Sequence, residues 1–128
     1  MFRPNRYRRF RPDERALLDA LLSADEPGFE ALRSQLDTAS YQAAWFPGGA
    51  SFDIHTEGGP RFRGADAADG VGAIVHARDV FRGGSPKTPD HLIGTVFVWV
   101  TDGLLSAVEY QSVGGRVPAS LPSPAQLG

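Results

Sequence analysis

The stretch Leu92-Ile93-Gly94-Thr95-Val96-Phe97-Val98-Trp99-Val100-Thr101-Asp102-Gly103-Leu104-Leu105-Ser106-Ala107-Val108-Glu109-Tyr110-Gln111-Ser112-Val113 decides the fold. An Asp-Gly pair between two apolar runs signals a two-residue hairpin turn, because both central residues must take positive φ. Counting outward from that turn sets an expected register. Val100 faces Leu105, Val98 faces Ala107 and Val96 faces Glu109. On the opposite face Trp99 meets Ser106, Phe97 meets Val108 and Thr95 meets Tyr110. One face is then aliphatic and the other aromatic, where a half-solvated sheet would alternate apolar with polar. Such a hairpin needs cover on both sides. Either helices cover one face and loops the other, or one face meets a partner protein.

Upstream, glycine pairs at 48–49, 58–59 and 83–84 punctuate further short β-like runs, and a fourth pair at 114–115 follows the hairpin. The expected strands are 41–46, 51–56, 72–81, 92–101 and 104–113. The Gly- and Pro-rich stretches 57–71 and 82–90 read as mobile loops, and the proline-punctuated tail 117–124 as neither helix nor inner strand. Further upstream the period changes from two to 3.6. Leu17, Leu18, Leu21 and Leu22 recur at helical spacing after Pro12, Asp13 and Glu14, which suit a first turn. This predicts a helix over 13–23. Phe29, Leu32 and Leu36 predict a second over 27–37, packed on the first as a hairpin. Helices first and strands after indicate an α+β fold: an N-terminal helical hairpin on an antiparallel β-meander of about five strands.

With 128 residues, one hydrophobic core is the default. A basic arm at 1–12 thus precedes a single α+β domain at 13–128. The chain has no cysteine, which excludes disulfides, thiolate zinc sites and a cysteine nucleophile together. Its longest apolar run, Val96–Val100, is far short of the roughly 20 residues of a membrane span. Acidic, polar PDERALLDALLSADE follows Arg8-Arg9, so no export signal is expected, and the reading is cytoplasmic with no membrane.

Residues 1–15 hold six arginines against Asp13 and Glu14, a net +4, while the remaining seven basic and thirteen acidic residues give −6. Arginine interleaved with aromatics in the arm can neutralise phosphates and stack on bases. The pI of about 5.9 is well below the range of nucleic-acid binders. Nucleic acid is therefore not the expected partner, and the arm is expected either to fold back onto its own acidic body or to fray in solvent.

Among chemistry-bearing residues, Glu109 is expected on the aliphatic face, where an apolar setting would raise its pKa and suit it to acid–base work. Asp53 and His55 project together from one strand and, with His76 or His91, offer metal-ligand types. No HExxH, paired-histidine spacing or acidic loop supports a metal, and none is expected. Gly70-Val71-Gly72 lacks the third glycine of a dinucleotide fingerprint, and neither a phosphate-binding loop nor GxSxG is present. No cofactor is implied. Trp45, Trp99 and Tyr110 are the residue types that anchor protein interfaces when exposed.

PDERALLDALL with Pro27-Gly28-Phe29-Glu30-Ala31-Leu32-Arg33 looks like the head of an uncharacterised family of small actinobacterial α+β proteins. Gly103–Tyr110, followed by Gly115-Arg116-Val117-Pro118 and Leu121-Pro122, is similar to their closing hairpin. Compact proteins of this kind resemble immunity proteins of polymorphic toxin systems, cytoplasmic inhibitors that cap a toxin domain through one face. The resemblance implies a non-enzymatic protein-binding domain with a toxin-like partner and carries over no functional residue. The alternative is a small enzyme or ligand-binding domain with a pocket near Asp53, His55 and Glu109. A homodimer through the uncovered face is a third arrangement. The candidate interaction residues are thus Trp45, Asp53, His55, Trp99, Glu109 and Tyr110.

Overall fold

A computed structural model describes residues 7–63 and 71–128. Two helices, α1 (Pro12–Leu22) and α2 (Phe29–Gln35), precede five strands: β1 (Ala39–Ala44), β2 (Phe52–Thr56), β3 (Gly72–Phe81), β4 (Leu92–Thr101) and β5 (Leu104–Ser112). The strands form one antiparallel sheet, and the α+β expectation holds. The order β1-β2-β5-β4-β3 departs from a sequential meander at one step. Strand β2 pairs with β5, and β3, next in sequence, lies at the opposite edge of the sheet beside β4.

Helix α1 starts at Pro12, whose missing N–H costs nothing at a helix N-terminus. Glu14 reaches back to accept the Arg11 backbone N–H at 2.7 Å, and Arg8 donates to both of its carboxylate oxygens at 2.8 Å. Burial acts to raise the Glu14 pKa. The bonds from Arg8 and Arg11 outweigh it and hold the carboxyl below its ordinary range. Arg8 also lies over the Tyr41 ring at 3.8 Å and pairs its backbone with Tyr41. The described part of the basic arm is therefore folded onto the body, along the free edge of β1. Residues 1–6 lie outside the described residues.

At the other edge, Leu127 bridges Val80, and the Gly128 N–H donates to the Asp79 carbonyl at 2.9 Å. Both outer strands thus have main-chain groups covered by a terminal segment, which limits edge-to-edge association. The tail forms one 3₁₀ turn, Pro124–Gln126, where no helix was expected. The β3–β4 connection likewise holds a 3₁₀ turn, Pro89–His91, and is fixed by main-chain bonds such as Arg82 N–H to the His91 carbonyl at 2.9 Å. It is built of turns rather than the loose loop that its Gly and Pro content implied.

The helices lie on one face of the sheet. Leu17, Leu18, Leu21, Leu22, Phe29 and Leu32 pack there against Phe52, Ile54, Val80, Val96, Val98 and Val108. Gln35, fully buried, fastens α2 to the hairpin: its amide N–H₂ donates to the Pro60 and Gly103 carbonyls at 2.8 and 2.9 Å. Its carbonyl accepts the Leu105 N–H at 2.8 Å.

His76 also points to this covered face, edge-on to Phe29 with ring centroids 5.1 Å apart, and its Nε2 is buried with no hydrogen-bond partner among the described residues. Burial chiefly, with the charge of Arg78, lowers its pKa below the ordinary histidine value, while Glu26 opposes the shift. The folded state therefore prefers neutral His76. Stability from this preference is complete above the unfolded value of about 6.5 and falls as pH drops through the window beneath it. Urea midpoints at pH 7.5 and 5.5 are expected to fall in the wild type and to fall less in His76→Phe. Equal losses in both proteins would show that His76 does not carry the effect.

Candidate functional site

The turn forms as expected: Asp102 and Gly103 have φ of 53° and 79°, the two positive values that the turn requires. Thr101 faces Leu104 and Val100 faces Leu105, but the register then slips by one. Trp99 pairs with Ala107, Val98 with Val108, Phe97 with Glu109 and Val96 with Tyr110, leaving Ser106 as the extra residue of a β-bulge.

That single residue exchanges the faces of everything beyond it. Glu109 belongs to the outer face beside Phe97, not to the aliphatic one. Tyr110, expected among the outward aromatics, lies in the core at 8% exposure, where burial pushes its phenol pKa up. Val108 takes the core place that Ala107 was expected to hold. At the slip the Thr101 hydroxyl donates to that of Ser106 at 3.0 Å on the outer side. Nothing in apolar alternation announces it.

The outer face carries Ile74, Phe97 and Trp99 across its centre, and Trp45 folds over it from just past β1. The two indoles meet edge to face, centroids 6.3 Å apart at 62°. Each indole N–H donates to a carboxylate: Trp45 to Asp53 at 2.8 Å and Trp99 to Glu109 at 2.9 Å. Glu109 also accepts from Gln111 at 2.5 Å. Side chains at Trp45, Asp53, Trp99 and Glu109 are all half-buried, so the cluster is formed yet reachable.

A cleft of about 210 Å³ opens between Trp45, Trp99 and Asp53. Another, of about 300 Å³, lies where Val117 and Pro118 pass Trp45 and Phe46, with Glu109 and Arg116 on its walls. His55 lines neither of these. It stacks on Tyr7 at 4.0 Å and bonds Glu57 at 3.0 Å, and His76 is on the opposite face of the sheet. The structure thus joins Trp45, Asp53, Trp99 and Glu109 into one cluster and leaves His55 outside it, while Tyr110 is turned to the core yet still lines the second cleft beside Trp45 and Glu109. No group of three or more metal-ligating side chains occurs among the described residues.

Charge at the strand positions of this face is one-sided. Arg78 is the only arginine or lysine in the five strands, and it sits on the covered side, opposite Val96, with its guanidinium on the Gly128 carbonyl. Outward strand positions carry Asp53, Asp79 and Glu109. Among the described residues neither Asp53 nor Glu109 has an ion-pair partner. Sequence reading missed Asp79 and the buried Gln35. Placing Asp79 requires the β3 register, and Gln35 resembles any other polar residue at a helix end.

No family model, curated protein or solved structure matches this chain.

Proposed function

We propose that this chain is a non-enzymatic protein-binding domain, an inhibitor of the immunity type that works in the cytoplasm and receives a basic partner on its outer sheet face. The observation that carries the reading is the composition of that face. It joins large apolar side chains, Ile74 at 47% exposure among them, to carboxylates, with no arginine or lysine at outward strand positions. Tryptophan-rich patches of this kind supply anchoring area, and complementary charge selects the partner and speeds encounter. A homodimer through the same face would bring Asp53, Asp79 and Glu109 against their own copies, and like charges disfavour it. The enzyme reading loses support because Asp53, His55 and Glu109 do not share one pocket. No helix among the described residues is long and apolar enough to cross a membrane.

Affinity capture from the native host, followed by reconstitution with purified proteins, tests this. The wild type and Glu30→Lys, altered on α2, are expected to retain the same partner, and Ile74→Lys is expected to lose it. The reading fails if capture is indifferent to Ile74→Lys. It fails equally if no partner is recovered and a metal or small molecule co-purifies at one equivalent.

A further inference from the structure

We infer that the cleft between Trp45 and Trp99 receives one arginine side chain of the partner, an assignment that rests on the protein-binding reading and names the chemistry of its contact. Tryptophan offers the strongest π-face to a cation among the aromatic side chains. Here both indoles are polarised in the same sense. An N–H bonded to a carboxylate draws negative charge toward the ring, and Trp45 and Trp99 each make such a bond, at 2.8 and 2.9 Å.

Neither carboxylate has an ion-pair partner among the described residues, and Asp53, which lines this cleft, has no arginine or lysine beside it on the cleft wall, whereas Arg116 shares the neighbouring cleft with Glu109. An incoming cation therefore meets indole surface with the Asp53 carboxylate beside it in the same cleft.

The cleft is also kept open. A Cβ on Gly72 would stand 3.2 Å from Trp99 Cε3 and 3.4 Å from Thr101 Oγ1, against the six-membered ring. With glycine there, no side chain from position 72 covers that part of the indole. Thr101 and Ser106 add hydroxyl oxygens to the wall. Shape then chooses between the two biological cations. A guanidinium is planar, stacks on an indole and donates through several N–H groups at once. An ammonium is a compact and more strongly hydrated point charge. Flat walls bearing oxygen acceptors fit the guanidinium.

The chain contains two tryptophans, both in this cleft, so every indole signal reports on it. The probes are acetyl-Gly-Gly-Arg-Gly-Gly-amide and the same peptide with lysine or citrulline in place of arginine. Titration is followed by the indole N–H resonances of ¹⁵N-labelled protein. The arginine peptide is expected to shift both signals saturably, with a dissociation constant on the order of millimolar for a single side chain. Lysine binds several-fold more weakly, and uncharged citrulline leaves the signals in place.

Asp53→Asn keeps an oxygen for the Trp45 N–H while removing the charge, and is expected to weaken arginine binding about fivefold. Asp79→Asn, on the same face but outside the cleft, leaves it unchanged. Equal shifts with citrulline, equal affinity for lysine, no response to arginine up to about 50 mM, or an Asp53→Asn protein that binds like wild type would each overturn the assignment. Face-dependent capture of a partner alongside such a failure would leave the protein-binding reading standing and remove only the arginine pocket.

Discussion

Gln35→Leu is expected to lower the unfolding free energy by about 3 kcal/mol, although the substitution trades a polar side chain for an apolar one inside the core. Gln35 is fully buried, and its amide serves three main-chain partners, the carbonyls of Pro60 and Gly103 and the N–H of Leu105. Those partners fare differently when it is lost. Pro60 is exposed, so water can reach its carbonyl, and the Gly103 carbonyl still accepts the Phe62 N–H at 2.9 Å. The Leu105 N–H is buried at the first core position after the turn and finds no replacement. An orphaned buried donor costs about 1–3 kcal/mol, and the two weakened carbonyl bonds add about 1 kcal/mol. The gain from burying leucine is small, because glutamine already fills the space. Urea unfolding measures the difference. A loss below about 1 kcal/mol would mean that α2 is held to the hairpin by its leucines and not by this amide.

Gly94→Ala is the other substitution with a large expected cost, again about 3 kcal/mol, and here the sign is the informative part. In an ordinary strand, alanine improves on glycine by about 0.5–1 kcal/mol through chain entropy. At position 94 a Cβ would run into the main-chain carbonyl of Gln111 and stand 2.7 Å from Cε1 of Tyr110. The carbonyl belongs to the β5 backbone and cannot rotate away. The tyrosine ring lies in the core and has nowhere to go. Overpacking therefore exceeds the entropic gain. Gly114→Ala provides the contrast, since a Cβ there meets nothing within 4 Å. It is expected to be neutral or slightly stabilising, by up to about 1 kcal/mol. Thermal unfolding that moved both variants in the same direction would refute the packing argument.

Elements with a strong period were readable from the sequence. Strands β3 and β4 begin and end where alternation and glycine pairs place them, and α1 lies within one residue of its expected bounds at each end. The four leucines of α1 do pack on the aliphatic side of the hairpin. Less legible was anything that depends on two distant segments. The pairing of β2 with β5 follows from which edge a long connection reaches, and local composition is silent on that. The candidate cluster was half legible. Trp45, Asp53, Trp99 and Glu109 were singled out by residue type, while their convergence came from a bulge that alternation could not disclose. Tyr110 was misplaced for the same reason, and His55 was drawn away by its neighbours Tyr7 and Glu57.

Ser106 therefore acts on this hairpin as a parity bit. Alternation along a strand is a binary code, inward or outward, and one uncounted residue inverts every later digit without altering a letter. Excising that serine would restore the count that runs from the turn. Glu109 would then fall among the leucines and Tyr110 in the open, exchanging a buried ring for a buried charge. Surface chemistry and core integrity on β5 are thus set by the same residue, and neither can be changed there without the other.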